Sequence, residues 1–345
     1  MMIQVLTYEQ IDATAWSALV QTSATGTWFQ TPEAFEFFQS QPELFKPFVY
    51  GVENEGRLRG VCVGYVTMEK SALKQMLTRR AIIVGGPCLA DDCTADEVTE
   101  LMKTVRKELK GEAIYVESRN FNDYSKWKEA FTIAGFEYVP HLNFHVDTSS
   151  VEVVEANLGK SRKRDIRTTI REGVTITSIY DLGLQIDDLN RERMVHEYYQ
   201  VLKNLYKTKV KTPLFPESFF QALAKHPDAR FLLTELNGKI IGGTVCVAQE
   251  DKCLYEWFAC GEDGVYQHVF PSCYATYAGI KYAAEHGMSR FDMMGAGKPV
   301  EAYGVRDFKA KFGGKEVEHG RLLCITKPLL YKIGVLGVKI LKKMK

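Results

Sequence analysis

The sequence has no long hydrophobic run: none of its segments reaches the roughly 18 uninterrupted apolar residues that a bilayer span requires. Its first residues, MMIQVLTYEQIDATAW, lack the basic stretch, apolar core and small-residue site of a secretory leader, so a cytoplasmic location is expected. An excess of one charge is missing too. Lys and Arg total 44 against 43 Asp and Glu, which leaves no overall field to gather nucleic acid and makes any such affinity a matter of local patches. The eight cysteines form no C-x-x-C pair and have no histidines at zinc-finger spacing, so reduced, structural thiols are expected and no metal site is predicted. A G-x-S-x-G elbow, an H-E-x-x-H pair and a Walker loop are all absent, which removes the signatures of the common serine-hydrolase, zinc-protease and nucleotide-hydrolase chemistries.

What is present is internal repetition. With 345 residues, 46% of them apolar, the chain is long enough for two domains. Gly56-Arg57-Leu58-Arg59-Gly60 and Gly238-Lys239-Ile240-Ile241-Gly242 share the pattern G-[basic]-[aliphatic]-x-G between β-rich runs, 46–55 with 61–69 and 229–237 with 243–260. Glu-Gly and Asn-Gly at such places signal β-hairpins, and their recurrence predicts a duplicated unit. Each hairpin is followed by a helix and a strand. The first helix is 95–111, with Thr94 and Glu97 as a capping box, before strand 113–118; the second is 271–287, opened by Pro271 and stopped by Gly287, before strand 290–295. Hairpin, strand, helix, strand is the order of the GNAT acyltransferase fold, whose central sheet splays to admit donor and acceptor. The expected class is α/β (α+β), two tandem GNAT-like domains packed together, the first over 1–148 and the second over 149–317.

Four stretches together resemble the Fem (FemAB-like) family of peptidoglycan-bridge aminoacyltransferases. They are Thr27-Trp28-Phe29-Gln30-Thr31-Pro32, LGKSRKRDIRTTIREGV (158–174), YEWFACGED (255–263), and FDMMGAG (291–297) followed by DFKAKFGG (307–314). The resemblance implies a first domain completed by 318–345. It also implies transfer of an amino acid from aminoacyl-tRNA, as co-substrate and without a cofactor, to an amine of a nucleotide- or lipid-linked peptidoglycan precursor. It places Asp292, Phe308 and Lys309 at the catalytic centre. The family's amino-terminal region helps hold the cell-wall nucleotide partly through a lysine, whereas PEAFEFFQS here has no Lys or Arg. Trp28, Tyr206 and Lys207 are the candidate acceptor contacts.

The residues supply physical reasons of their own. An amine attacking an aminoacyl ester builds negative charge on the carbonyl oxygen, and one donor there contributes about 2.7–4 kcal/mol. Holding both reactants in place supplies roughly 7–11 kcal/mol more, so no nucleophilic Ser or Cys is required. Lys309 is the candidate donor; the plainer reading is a solvated lysine beside buried Phe308 and Phe312. Lys160, Arg164, Arg167 and Arg171 recur on one helix face, either as a cationic ridge for donor phosphates or as a solvated face with Asp165 and Glu172 as local partners. Segment 327–345 has no acidic residue and interleaves apolar side chains with Lys332, Lys339, Lys342, Lys343 and Lys345. That pattern fits a helix lying on the anionic inner face of a membrane, or one docked on the first domain with a frayed basic end. Two other functions stay open. One is an N-acyltransferase using acetyl-CoA, although 261–272 lacks the [RQ]-x-x-G-x-[GA] turn that would deliver a diphosphate to a helix amino end. The other is a non-catalytic binding protein on the same scaffold.

Overall fold

The computed structural model describes residues 3–69, 71–182, 186–210 and 213–343. The chain divides into two compact units, Met1–His141 with Glu318–Lys345, and Leu142–Val317. Strands β1 (Ile3–Leu6), β2 (Phe45–Asn54), β3 (Arg57–Thr67), β4 (Ala81–Gly85), β5 (Cys88–Leu89), β6 (Tyr115–Asn120) and β7 (Glu137–Val139) belong to the first unit. The second holds β8 (Leu142–Asp147), β9 (Thr175–Ser178), β10 (Ala229–Leu236), β11 (Lys239–Gln249), β12 (Cys253–Gly261), β13 (Arg290–Asp292) and β14 (Lys315–Glu318), after which β15 (Arg321–Ile325) returns to the first.

The first sheet runs β1-β2-β3-β4-β6-β15-β7, and the second, read in the same sense, β9-β10-β11-β12-β13-β8-β14. Position by position the two agree. Each holds a parallel pair at the same place, β4 with β6 and β12 with β13, and each fills its sixth place with a strand from outside the local sequence order. The boundary between units corrects the expectation from sequence: residues 142–147 form β8, which pairs with β13 and sends Leu142, Phe144 and Val146 into the second core, so the second unit starts at 142 and not at 149.

The duplicated hairpins owe their geometry to their turns. Glu55 and Gly56 have φ of 52° and 73°, and Asn237 and Gly238 have 51° and 78°. Two consecutive left-handed residues make the type I′ turn whose twist matches that of the flanking strands. Each hairpin also carries a bulge at the same distance from the turn, between Val52 and Glu53 and between Thr234 and Glu235.

In the first unit the helix Ala95–Leu109 lays Val98, Leu101, Met102 and Val105 against one face of the sheet. Its start is the expected capping box: Thr94 N donates to Glu97 Oε2 (2.7 Å) and Glu97 N to Thr94 Oγ1 (3.3 Å). The other face is covered by Trp16, Val20 and Phe35 from helices Ala13–Thr22 and Pro32–Gln39. In the second unit the helix Pro271–Glu285 packs Cys273, Ile280 and Ala283 over Cys246, Leu254 and Phe291. Fully burying each such aliphatic or aromatic side chain contributes about 1.5–3 kcal/mol. All eight cysteines are buried thiols. Burial pushes the Cys253 thiol up to about 11, which leaves it protonated and unreactive near neutrality.

Candidate active site

Strands β12 and β13 pair at Cys253–Arg290, Leu254–Phe291 and Tyr255–Asp292, and there the pairing ends. β12 continues to Gly261 through a bulge in which Cys246 faces Glu256 and Val245 faces Phe258, leaving Trp257 as the extra residue. β13 stops short of the expected 290–295 because Met294 and Gly295 turn to φ of 52° and 106°, outside any strand conformation. The sheet therefore opens between Glu256 and Met293. The equivalent pair in the first unit, β4 and β6, stays joined along the whole of β4, from Ala81–Val116 to Gly85–Asn120.

Glu256 stands at the opening. Only 6% exposed, its carboxylate accepts hydrogen bonds from Thr276 Oγ1 (2.8 Å) and Thr244 Oγ1 (3.3 Å). Burial pushes this carboxyl above the usual range, against the pull of the Lys309 charge and the two hydroxyls. Lys309 lies on the short helix Gly304–Ala310 and is partly buried. Its ammonium donates to the carbonyls of Met293 and Gly295, the latter at 2.8 Å. Desolvation holds it below the ordinary lysine range, opposed by Glu256 and Asp292. An ammonium has three protons, so one remains for a ligand.

Asp292 is fully buried. Its Oδ1 accepts from Asn143 Nδ2 and from Met294 N, both at 2.8 Å, and its Oδ2 lies 3.1 Å from His145 Nε2. Burial works to raise its carboxyl, but His145, Arg290 and Asn143 bring it below the usual range. Asn143 Oδ1 in turn accepts Gly295 N at 2.7 Å. From the other side Arg306 donates to the carbonyls of Ala296 (3.1 Å), Pro299 (3.2 Å) and Lys298. The turn 293–299 is thus held at nearly every peptide by groups from β8 and the Gly304–Ala310 helix. Phe308 lies under the Arg162 guanidinium, 4.4 Å from its ring centroid, and its carbonyl accepts from Arg162 at 3.4 Å.

Beside the opening, the end of β12 touches the start of the Pro271–Glu285 helix: a Cβ added to Gly261 would fall 2.4 Å from Ser272 N. The turn between them folds its own carboxylate onto that helix end. Asp263 Oδ1 accepts Ser272 N (3.3 Å) and Oδ2 accepts the Ser272 hydroxyl, while Phe270 N donates to Thr169 Oγ1 (3.0 Å). Pro271 has no N–H to offer. The end of a helix that commonly receives a phosphate is here already occupied by the chain.

The helix Lys160–Arg171 presents Lys160, Lys163, Arg164, Arg167, Thr168 and Arg171 around a shallow groove of about 470 Å³. Arg164 pairs with Asp165 (3.1 Å) and Arg171 with Glu172 (3.5 Å). Lys160, Lys163 and Arg167 have no ion pair among the described residues. The opposite side of this helix is internal, with Arg162, Ile166 and Thr169 buried.

Residues 160–309 match the family model of the acetyltransferase (GNAT) domain. Comparison with curated proteins returns no match. Among solved structures, FemX superposes with a TM-score of 0.70 at 13% identity, covering 96% of this chain and 99% of FemX. The chain has a FemX-like tandem GNAT fold. L-PGS from Bacillus licheniformis aligns at TM-score 0.56 and 13% identity over 94% of this chain and 96% of that one. A tandem GNAT protein from the clavulanic acid biosynthesis pathway aligns at 0.53 and 8% over 94% and 99%. The second GNAT unit, which contains every residue of the family match and the strand opening, is an acyltransferase domain.

Within that unit the structure brings together Asp292, Phe308 and Lys309, and places Lys160, Arg164, Arg167 and Arg171 on one exposed face, to which it adds Lys163 and Thr168. Asp292 holds the turn and is closed to solvent, so its position is that of a support and not of a group touching substrate. Tyr206 is half-buried in a π-helical turn, Tyr206–Val210, and burial raises its phenol together with Cys260 and Tyr303, the residue that caps the Lys309 helix. Lys207 is exposed on the same turn. Trp28 is a correction: 1% exposed and packed edge-on against Phe29, it fills the first unit's core and offers no surface to an acceptor. Glu256, Asn143, His145 and Arg306 were not singled out from sequence. Within β12, CLYEWFACG, the only hint was a lone acid among apolar and aromatic residues, a place where a carboxylate is costly unless it is used.

Proposed function

We propose that this protein moves an aminoacyl group from aminoacyl-tRNA to an amine. Its resemblance to the Fem family names that amine as one on a peptidoglycan precursor. The observation that carries the donor is the self-capped start of the Pro271–Glu285 helix: with Asp263 folded onto Ser272, a diphosphate arriving there would meet a carboxylate in place of free amides. A polyanion has a natural seat instead on the Lys160–Arg171 ridge, where three of the cations lining the groove have no ion pair among the described residues.

The chemistry follows from the opening. The amine nitrogen attacks the ester carbonyl carbon, and Glu256, whose raised carboxyl suits a base, takes the proton. The oxyanion is met by the remaining proton of Lys309, held in place by its two carbonyl bonds. Collapse breaks the carbon–oxygen bond to the tRNA ribose, whose hydroxyl leaves with the proton returned by Glu256, and the new amide is complete.

The test is equilibrium binding of charged tRNA and, separately, of acetyl-CoA across a salt series. The expected result is tRNA binding whose log K falls by roughly 0.7–0.9 per phosphate contact for each unit of log salt, with a shallower slope in Arg167→Glu, and no uptake of acetyl-CoA. Binding of acetyl-CoA without tRNA would overturn the reading.

A further inference from the structure

The helix Pro328–Lys343, in the first unit, carries two apolar stripes. Leu330, Tyr331 and Gly334 are partly buried, with Tyr331 edge-on to Tyr115 of β6 at 5.5 Å between ring centroids. Leu329, Ile333 and Leu336 form the second stripe and are 73%, 51% and 59% exposed. At 3.6 residues per turn the two stripes point roughly 140° apart. Docking on the first unit uses only one of them.

The exposed stripe does not stand alone. The helix Ala72–Thr78 touches the Pro328–Lys343 helix and adds exposed Met76 and Leu77 to the same neighbourhood. Lys332 is exposed beside the stripe. No residue from 319 to 345 is acidic, while Lys339, Lys342, Lys343 and Lys345 continue the basic run, their side chains lying outside the described residues. An apolar row flanked by cations, on a segment that itself carries no acid, fits one kind of surface: hydrocarbon at its centre and negative charge at its edge. A second copy of the chain fits poorly, because a two-fold contact would set the same lysines against each other. None of the described helices is long and apolar enough to cross a bilayer, so the contact is peripheral.

We propose that the first unit binds the surface of an anionic membrane through Leu329, Ile333 and Leu336, with Met76 and Leu77 as a second apolar contact and Lys332 as the electrostatic one. This goes beyond the transfer reaction and holds whichever acyl donor is used.

Vesicle co-sedimentation tests it on the full chain, with phosphatidylcholine vesicles and with phosphatidylcholine–phosphatidylglycerol vesicles. The expected result is binding to the mixed vesicles that weakens with salt, little binding to phosphatidylcholine alone, and loss of more than about tenfold in affinity in Leu329→Ser/Ile333→Ser/Leu336→Ser. The paired variant Met76→Ser/Leu77→Ser weakens binding less. The three substituted side chains point outward, so the thermal midpoint stays that of the parent; a variant that melts early is replaced by Lys332→Glu, which reduces binding to mixed vesicles alone. Absence of binding by the parent chain, or equal binding by the triple variant, overturns the proposal. So does a concentration-dependent dimer that the triple variant abolishes, which would assign the stripe to a second copy.

Discussion

Glu256 and Lys309 are displaced in opposite directions by the same cause, removal from water, and each acts in its charged form. Glu256 accepts a proton only when ionised, so transfer rises with pH through a value above the ordinary glutamate range. Lys309 donates to the oxyanion while protonated, so transfer falls again through a value below the ordinary lysine range. The pH profile of kcat is therefore expected to be a bell narrower than two unperturbed groups would give. Glu256→Gln is expected to remove the acid limb and to cost on the order of 10²–10⁴ in kcat; a retained acid limb would take Glu256 out of the mechanism. Lys309→Ala is expected to lower kcat by about 10²–10³ at least, since it removes a donor and two bonds to the turn 293–295. Arg306→Ala separates the two effects. It frees three carbonyls of the same turn without touching the oxyanion, so a smaller loss there assigns the difference to the Lys309 proton. Lys309 could be found from its Phe-Lys setting, and the ridge from its spacing. Glu256 gave only a hint, because a lone carboxylate in an apolar strand can lie under a helix or face water, and the sequence does not say which.

The hairpins were legible as elements since Glu-Gly and Asn-Gly turns act locally, and so was the Thr94–Glu97 box, whose partners are three residues apart. The length of β13 was not. It is set by Asn143 and His145, distant in sequence, which seize Asp292 and the turn after it and end the ladder. The capping of the Pro271–Glu285 helix was hidden by a nearer partner, Asp263, nine residues before Ser272 and so outside the three-residue reach of a local cap. Asp263→Ala leaves Ser272 N without its acceptor and is expected to cost about 1 kcal/mol, read as a lower urea midpoint at unchanged slope. Gly261→Ala forces the end of β12 away from that helix and is expected to cost about 1–3 kcal/mol. A neutral result at both positions would mean that the helix start is held elsewhere.

Across the molecule, the first unit is closed by a strand that arrives last. β15 lies between β6 and β7, with Arg321 opposite both Arg119 and Val139. Glu117 offsets the two facing guanidinium groups: it pairs with Arg321 at 2.6 Å and with Arg119 at 3.0 Å. Burial works to raise its carboxyl, yet the two arginines bring it down to about 2. With 4.5 as the unfolded value, its stabilisation is fully present above that pH and is lost as pH falls toward 2, on the order of 3 kcal/mol in all. Denaturation midpoints measured down through this range are expected to fall more steeply for the parent than for Glu117→Gln; parallel curves would remove Glu117 from the account. The residues could show the repeat, and the resemblance implied that 318–345 completes the first domain, but the place of β8 was not legible, since a six-residue strand with alternating apolar positions fits either sheet equally well.

That late strand also orders events in time. The second unit is contiguous from Leu142 to Val317 and can finish folding as soon as that stretch leaves the ribosome. The first unit, though made earlier, must wait with the edge of β6 bare until Arg321–Ile325 follows. Through all the synthesis between Asn120 and Arg321, therefore, the first sheet keeps an open edge in need of protection.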